Sequence, residues 1–249
     1  MRILHVLDHS IPLHSGYTFR TASILREQRA LGWETYHITS PKQGEARALE
    51  ESVDGLHFYR TAGGTGLLAD LPVGREVALM KSLGQRLEQV ARIVEPDIIH
   101  AHSPVLNALP ALKVGHKLGI PVVYEIRAFW EDAAVDHGTT QQGSLRYRAT
   151  RGLETRAIRR ANHVFTICEG LRADIVARGV ASSKVTVIPN AVNVESFQLA
   201  KAPDPALLAR LGLADSTVIG FIGSFYAYEG LDLLVDALPA LLQARPDIK

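Results

Sequence analysis

Residues that could bind an anion or carry a positive charge follow several apolar runs of this chain. Each comes where a short β-branched run stops, which is where a buried strand would end. Parallel strands place their carboxyl ends at one edge of a sheet, and ligands bind at that edge. We therefore examine these positions first as a candidate site. They are His9, Gly16, His102, Arg127 and Asn190.

Gly16 precedes a helix predicted from about Thr18. Backbone N–H groups at a helix N-terminus attract anions, and the missing Cβ lets a phosphate approach. The alternative is an ordinary turn between a strand and a helix. Arg20, one turn into that helix, could add positive charge to an anion site or be a surface arginine.

His102 could hydrogen-bond a ligand hydroxyl, or it could be a buried histidine with satisfied hydrogen bonds. We expect His100 to point into a helix layer instead. Arg127 stays charged at pH 7 and cannot act as a general base. It could hold a phosphate or an acidic ligand through two parallel hydrogen bonds, or pair with Glu125 or Glu131.

The apolar runs alternate with helical periodicity, which predicts βαβ units and a Rossmann-like parallel sheet with helices on both faces. The last β-branched run of this series, 184–188, stops at Pro189, which cannot donate a ladder hydrogen bond. A further strand over 217–223 and a helix over 231–242 are too little to bury a core. We therefore predict an α/β domain over 1–190, a linker over 191–214 and the truncated start of a second Rossmann-like domain over 215–249.

The composition limits the kind of protein. The 249 residues carry a net charge of +1, which gives no general attraction to nucleic acid. The single cysteine, Cys168, excludes an intramolecular disulfide framework and is interpreted as a small buried hydrophobe. The N-terminus resembles a strand rather than a signal peptide, and no run of about 18 apolar residues suggests a membrane span. We expect a cytoplasmic protein.

A predicted helix ending near Arg160 is strongly basic. It carries six arginines: Arg146, Arg148, Arg151, Arg156, Arg159 and Arg160. Such a helix can dock on anionic lipid headgroups at the inner face of a membrane. A solvated surface helix is the alternative.

Three motifs together resemble those of the GT4 glycosyltransferases, which have the two-domain GT-B fold. The segment 187–197 (Val-Ile-Pro-Asn-Ala-Val-Asn…Phe) is similar to the hinge motif of that family, and 219–232 is similar to the opening of its donor-binding domain. His100-Ala-His102 resembles its second strand-end motif. Further segments, 16–20, 124–127 and 225–230, resemble a subgroup associated with bacterial exosortase and exopolysaccharide loci.

The resemblance implies retaining transfer of a hexose from a nucleotide-diphosphate sugar to a glycan or lipid-linked acceptor, with no metal ion and no other cofactor. The first domain would hold the acceptor and the second the nucleotide. The implied roles divide the candidate residues into three groups. They are catalytic Arg127 and His102; donor- or phosphate-binding Gly16, Tyr17, Arg20, Asn190, Gly223, Ser224 and Glu229; and acceptor-binding His9 and Glu131.

Three positions depart from the family pattern. Arg127 stands where many relatives carry a histidine, which suggests an anionic acceptor instead of the usual histidine role. Ser224 and Glu229 stand where the family has the arginine and lysine that hold the donor diphosphate. A carboxylate repels a diphosphate unless it is protonated or paired, so either the subgroup binds the donor differently or basic residues beyond Lys249 compensate. The resemblance also implies a later acidic motif that holds the ribose and the sugar and would lie past the end of this chain, so we expect the 249-residue chain to have an incomplete donor site and to be inactive alone.

Two other classes of function remain. The chain could be a module that binds an acceptor or a partner and catalyses nothing. A Rossmann oxidoreductase would need a Gly-x-Gly-x-x-Gly turn after the first strand, and the segment 14–19 lacks it.

Overall fold

A computed structural model describes residues 1–44, 48–63, 73–195, 202–223, 225–226 and 229–249. The chain forms two compact units. The first comprises residues 1–134 and 140–190, and the second comprises residues 135–139 and 191–249. The predicted roles of an acceptor domain, a linker and a donor domain stay predictions.

An eight-stranded sheet forms the first unit. Its strands are β1 (Arg2–Leu7), β2 (Glu34–Thr39), β3 (Glu50–Val53), β4 (Leu56–Tyr59), β5 (Ile98–His102), β6 (Val122–Ile126), β7 (His163–Thr166) and β8 (Val185–Val187). The strand order is β3-β4-β2-β1-β5-β6-β7-β8, and all neighbouring pairs are parallel except β3 with β4. The predicted α/β class with a Rossmann-like parallel sheet is confirmed.

Helices connect the parallel strands. They are α1 (Gly16–Ala30), α2 (Gly74–Val94), α3 (Val105–Leu118), α4 (Trp130–Asp136), α5 (Leu145–Arg160) and α6 (Glu169–Ala177). From β1 the chain moves to β2 on one side, whereas from β5 it moves to β6 on the other. Because such crossovers are right-handed, α1 and α3 lie on opposite faces of the sheet. The order reverses between β1 and β5, and the crevice at such a reversal is where open α/β sheets bind ligands.

The sequence explains where these helices form and how they pack. Ser15 caps α1, its hydroxyl accepting from the Thr18 N–H at 3.1 Å. Gly119 ends α3 with a positive φ of 71°, a conformation that side chains with a Cβ disfavour. In α2, the buried Leu83, Leu87 and Val90 recur at helical spacing. They belong to a buried apolar cluster that includes β1, β5 and β6 residues.

Arg60 joins the edge of the sheet to the segment that follows β1. Its fully buried guanidinium donates to Ser10 Oγ at 2.7 Å, to the Ile11 carbonyl at 2.9 Å and to Glu51 Oε2 at 2.8 and 2.9 Å. A buried charge is tolerated when it is paired and fully hydrogen-bonded. Arg60 therefore fixes the loop that leads from β1 to α1, with a counter-ion from the edge strand β3.

The antiparallel β3 forms the edge of the sheet next to β4. After β6 the chain is helical over Trp130–Asp136. One predicted element is wrong. The segment 217–223 is not a buried strand: in the described chain, Thr217 makes an isolated parallel bridge with Ile248, and Val218, Ile219 and Phe221 are exposed.

The second unit contains α7 (Pro205–Leu211) and α8 (Leu231–Ala244). Asp204 caps α7, accepting from the N–H groups of Ala206 and Leu207. Thr217 is held by Arg245 and Asp247, whose side chains also pair with each other at 2.8 Å. Together these contacts join the end of α8 to the segment before it.

Candidate functional site

Arg127, the residue after β6, reaches across the carboxyl edge of the sheet to α1. Its Nε donates to Glu125 Oε1 at 2.9 Å, its Nη1 to the Tyr17 carbonyl at 2.8 Å and its Nη2 to Thr21 Oγ1 at 3.1 Å. The guanidinium carbon also lies 4.4 Å from the centre of the Tyr17 ring. Arg127 is therefore oriented from several sides, and these contacts give no indication of an anionic acceptor.

A chain of hydrogen bonds continues from Arg127 through two buried histidines. Arg127 Nη2 lies 2.8 Å from His102 Nδ1, His102 Nε2 lies 3.0 Å from His5 Nδ1, and His5 Nε2 lies 2.9 Å from Gln28 Oε1. A guanidinium can only donate, so His102 Nδ1 must accept and its proton must be on Nε2. His5 then accepts at Nδ1 and donates to Gln28. Both tautomers are thus determined by Arg127.

Burial keeps these imidazoles neutral. It lowers the pKa of His102 and of His5 well below the usual value, and the other histidines nearby lower it further. Both ring nitrogens of His102 are occupied by Arg127 and His5, and the side chain is fully buried. In this arrangement His102 orients Arg127, and no ring nitrogen is left for the ligand hydrogen bond that the sequence suggested.

His100 does not face away from His102, as the sequence analysis expected. Residues two apart on a strand share a face of the sheet. The two rings stack with centres 4.2 Å apart, and His100 Nε2 lies 3.2 Å from Glu125 Oε2. The expectation failed because it treated residues two apart as if they alternated.

His5, His100 and His102 place one ring nitrogen each within 4.8 Å of one another, a separation that a metal ion could bridge. A metal bound at His102 Nε2 would require the proton to be on Nδ1. That proton would point at the Arg127 guanidinium, which has only donors. The hydrogen-bond chain therefore accounts for these histidines, and their donor set does not fit a metal ion.

Glu125 is the centre of charge in this region. Burial raises the pKa of its carboxyl, but the His100 hydrogen bond and the charge of Arg127 outweigh burial and hold that pKa well below the usual range. Arg20 Nε also donates to Glu125 Oε1, at 2.9 Å. The carboxylate is therefore ionised and joins the end of β6 to α1.

Arg20 also contacts the end of the first unit. Its terminal nitrogens donate to the Ile188 carbonyl at 2.9 Å, the Pro189 carbonyl at 3.0 Å and Asn190 Oδ1 at 3.0 Å. The positive charge that the sequence analysis considered for an anion site is thus paired with Glu125, a carboxylate that Arg20 shares with Arg127. The structure brings Arg20, Asn190 and Arg127 together through this contact network.

Gly16 is the first residue of α1, and a Cβ built on it would meet nothing within 4 Å. A ligand can therefore approach Gly16 on the side where other residues carry a Cβ. His9 lies beside this turn, with Nε2 2.8 Å from Ser15 Oγ and its ring stacked on Tyr17 at 4.9 Å. Burial raises the pKa of Tyr17, so its phenol stays protonated and its OH accepts from the Asp8 N–H at 3.0 Å.

Glu131 is not part of this group of residues. Its carboxylate is fully buried and lies 2.9 Å from Arg178 Nη1, and the Arg178 guanidinium lies 3.7 Å from the centre of the Phe129 ring. A side chain without exposed surface cannot contact an acceptor from solution. The predicted acceptor role of Glu131 does not fit this placement.

In the second unit, Gly223 and Glu229 are exposed. A Cβ on Gly223 would approach the Phe221 ring to 2.8 Å, so a larger residue there would displace that exposed ring. The Glu229 N–H donates to the Tyr226 carbonyl at 3.0 Å, just before α8 begins. Ser224 lies outside the described residues.

Sequence reasoning missed Asp8 and Lys42 at the same edge. Asp8 directly follows β1, and Lys42 lies in a 3₁₀ turn, Pro41–Gln43, soon after β2. Their side chains form an ion pair of 3.1 Å. The rule that singled out His9 would have found Asp8, one residue closer to the strand.

The outward face of α5 is basic. Five of its arginines, with Gly152 and Thr155, line one shallow groove: Arg148, Arg151, Arg156, Arg159 and Arg160. Leu145 and Leu153 on the same helix are 84% and 43% exposed. The one acidic residue of the helix, Glu154, points inward and bonds the Tyr124 hydroxyl at 2.7 Å.

Within the described chain, no helix is both long enough and apolar enough to cross a bilayer. No protein of curated function matches the sequence.

The fold matches several solved structures. HepE from Anabaena, in complex with UDP and glucose, has a TM-score of 0.68 at 17% identity, over 100% of this chain and 59% of that one. Sucrose-phosphate synthase from Thermosynechococcus elongatus has a TM-score of 0.68 at 14% identity, over 96% and 59%. MnaA from S. aureus, in a structure with UDP, has a TM-score of 0.55 at 12% identity, over 100% and 60%. The chain thus spans about three fifths of the length of these proteins.

Residues 15–191 match the family described as "Glycosyl transferase 4-like domain". The matched range begins at the cap of α1 and ends one residue after Asn190. It therefore contains most of the sheet, together with Arg20 and Arg127. The chain therefore belongs to the glycosyl transferase 4-like family.

Proposed function

We propose that this chain is the acceptor-side part of a retaining glycosyltransferase that moves a hexose from a nucleotide-diphosphate sugar to a glycan or lipid-linked acceptor. The observation that carries the proposal is the family match over 15–191, which contains the edge where Arg20, Glu125 and Arg127 meet. Structures with the same fold hold UDP, UDP with glucose, and UDP-glucose. A nucleotide sugar is therefore the first donor class to test.

The proposed roles follow the geometry. Arg127 faces the carboxyl edge with its orientation determined by His102, and it stabilises negative charge on a substrate that enters beside Gly16. The N-terminus of α1, beside Gly16, offers N–H groups to the donor diphosphate. Tyr17 and His9 flank this approach.

The donor nucleotide is assigned mainly to the second unit, with Gly223, Ser224 and Glu229 near its diphosphate. Glu229 would repel a phosphate unless it is paired or protonated. Because the chain spans about three fifths of the length of the structures it matches, we propose that the 249-residue chain does not transfer sugar by itself. The proposal includes no metal ion and no cofactor. It places the reaction in bacterial exopolysaccharide synthesis, on the cytoplasmic side of the membrane, because segments such as 124–127 resemble that subgroup.

Nucleotide release tests the proposal. The protein, in the longest form its gene encodes, is incubated with a panel of UDP-, GDP- and ADP-sugars, with and without a lipid-linked acceptor. Release that depends on the acceptor supports transfer. Arg127→Ala, with its fold checked by circular dichroism, should lose release about 100-fold or more. A matched control is Arg26→Ala, an exposed arginine of α1.

A binding module is the second candidate. Acceptor binding without nucleotide release from any donor would support it and contradict transfer. Full activity of Arg127→Ala would remove that residue from the site while leaving the family assignment intact.

We further propose that α5 docks the protein on an anionic membrane. Its outward face combines an arginine groove with two exposed leucines, and this combination suits lipid headgroups next to an apolar interface. A lipid-linked acceptor would be presented at that surface.

A further inference from the structure

Asp8, Lys42 and Trp130 come from three separate connections and meet at the carboxyl edge of the sheet. Asp8 follows β1, Lys42 lies in the 3₁₀ turn after β2, and Trp130 begins α4 after β6. Lys42 Nζ lies 3.1 Å from Asp8 Oδ1 and 5.4 Å from the centre of the Trp130 ring. The three side chains thus form one cluster, which we name the Trp130 cluster.

Much of the cluster is accessible. Trp130 exposes 44% of its surface and the Lys42 side chain 38%, while Asp8 lies beneath them with 6% exposed. The indole ring therefore offers an accessible aromatic face beside a buried carboxylate. A ligand could pack against the Trp130 ring while its polar groups contact Lys42 and Asp8.

Asp8 is held in place before any ligand arrives. Its N–H donates to the Tyr17 hydroxyl at 3.0 Å, and its carbonyl accepts from Ser40 Oγ at 2.8 Å. The turn that carries Lys42 is fixed as well, because Gln43 Oε1 accepts from the Ser10 N–H at 2.8 Å. Binding to such a preorganised group loses little conformational entropy.

One carboxylate oxygen of Asp8 could accept a further hydrogen bond. Apart from the ion pair with Lys42, its Oδ1 makes no hydrogen bond among the described residues. A buried carboxylate oxygen gains from an added donor, since an unmet acceptor carries a desolvation cost. Because Oδ1 is buried against Lys42, a ligand hydroxyl reaches it only when the Lys42 side chain moves aside, and the freed ammonium can then donate to the ligand.

These features select a class of ligand. A pyranose ring has an apolar C–H face that suits the negative face of an indole, and hydroxyls at its rim that suit a carboxylate and an ammonium. Asp8 and Lys42 cancel each other's charge, so the cluster attracts neither acids nor bases. A phosphate or a uronate would meet the Asp8 carboxylate at close range.

We infer that the Trp130 cluster is a subsite for a neutral sugar ring of the acceptor. This inference rests on the proposed glycosyl transfer, because that proposal assigns the acceptor to the first unit. Trp130 stacks on the ring, Asp8 accepts from its hydroxyls, and Lys42 donates to an oxygen at the rim. Tyr17 joins the subsite to Arg127, since it contacts both Asp8 and the guanidinium.

The fluorescence of Trp130 gives a direct test. The chain has two tryptophans, and Trp33 precedes β2 at the opposite edge of the sheet, so Trp33→Phe leaves Trp130 as the single reporter. This protein is titrated with cellobiose, a neutral disaccharide, and with methyl glucuronide, up to about 50 mM, which covers affinities near 4 kcal/mol. We expect a saturable change in emission with cellobiose and at least tenfold weaker binding of the glucuronide.

Variants in the Trp33→Phe background identify the groups involved. Asp8→Asn and Lys42→Ala should each weaken cellobiose binding at least about fivefold, as expected for a lost charge-assisted hydrogen bond. Lys81→Ala, an exposed lysine of α2, is the matched control and should bind as the parent does. No saturable change with cellobiose, equal binding by Asp8→Asn and Lys42→Ala, or tighter binding of the glucuronide would each overturn the inference.

Donor turnover in the longest form that the gene encodes, without substitutions, separates this inference from the proposed function. Nucleotide release without saccharide binding at Trp130 would overturn the subsite and leave glycosyl transfer in place. Saccharide binding that depends on Asp8 and Lys42, without nucleotide release from any donor, would leave the subsite in place and contradict transfer.

Discussion

Arg20 and Arg127 donate to the same atom: the Nε of each guanidinium lies 2.9 Å from Oε1 of Glu125. One arginine continues to the carbonyls at the end of the first unit, and the other to His102 and α1. A single buried carboxylate therefore pairs with both cations, which leaves one net positive charge on the three groups, and it sets their relative positions. This relationship makes Glu125 the residue on which the candidate site depends most.

Replacing Glu125 with glutamine should destabilise the fold by about 3–5 kcal/mol, because two mostly buried guanidinium groups lose their counter-charge. Urea unfolding at pH 7.5 measures the change. Glu88→Gln is the control: Glu88 pairs with Lys117 and Arg92 on the surface, where ion pairs contribute about 0–1 kcal/mol. Equal losses in the two variants would contradict a central role for Glu125.

Arg20→Lys should loosen the end of the first unit while keeping the charge next to Glu125. A lysine lacks the planar set of donors that reaches Ile188, Pro189 and Asn190 together. Hydrogen exchange followed by mass spectrometry should show faster exchange in peptides that cover 185–192. Arg26→Lys on the exposed side of α1 should leave exchange there unchanged. Unaltered exchange in Arg20→Lys would show that the hydrogen bonds from Arg20 do not restrain this segment.

The buried histidines make stability fall in mild acid. Burial lowers the pKa of His37 to about 3, and it lowers the values for His5 and His102 as well. Below about pH 6.5 the unfolded chain binds protons at these positions and the folded chain does not, so stability is complete above that pH and is lost as the pH falls. Each histidine contributes up to about 1.4 kcal/mol per pH unit.

The variant His37→Gln isolates one of these contributions. Its unfolding free energy, measured between pH 5 and 6.5, should depend less steeply on pH than that of the parent. His116→Gln, at an exposed position of α3, is the control. An unchanged slope in His37→Gln would mean that His37 takes up a proton in the folded state.

Glu154 should have the opposite dependence on pH. Burial raises its pKa to about 7, so the folded chain retains a proton that the unfolded chain loses near pH 4.5. Stability from this residue is present below that pH and declines as the pH rises towards 7. Glu154→Gln should therefore be more stable than the parent at pH 8 by about 3 kcal/mol, and the difference should vanish near pH 4.5. The exposed Glu27→Gln should show no such gain.

Membrane docking by α5 is tested by flotation with vesicles. Replacing Arg148, Arg156 and Arg160 with glutamine should abolish binding to phosphatidylglycerol vesicles, and high salt should weaken the parent's binding, because exposed charges are screened. Within the described residues, these three arginines have no carboxylate within 4.0 Å, so the fold should not depend on their charge. Neutralising Arg26, Arg75 and Lys113 removes the same charge elsewhere and serves as the control. Equal binding by both triple variants would contradict docking by α5.

Much of the fold follows from local sequence signals. Buried parallel strands have β-branched runs, and their helices have apolar residues at helical spacing, so β1, β5, β6 and α2 could all be predicted. The antiparallel β3 was missed because Glu50-Glu51-Ser52-Val53 has no apolar period. Its turn residues, Asp54 and Gly55, both have positive φ, and this pair is a hairpin signal that would have revealed it.

The sequence could predict which residues lie near the candidate site, but not which hydrogen bonds they form. Strand ends in a parallel sheet must lie at one edge, which is why His102, Arg127 and Asn190 come together. Which atoms meet depends on how α1 lies across that edge, and no local pattern specifies this. The pairing of Glu131 with Arg178 likewise joins residues that only the completed fold brings together.

The edge strand β3 has a consequence for the behaviour of the protein in concentrated solution. An unpaired sheet margin is a template on which a second copy can add its own strand, and acidic side chains discourage such growth. Glu50 and Glu51 place two like charges on this margin, so two copies approaching there would repel each other. Because Glu51 also holds Arg60, losing that carboxylate would expose the margin to self-association and release the loop before α1 at the same time.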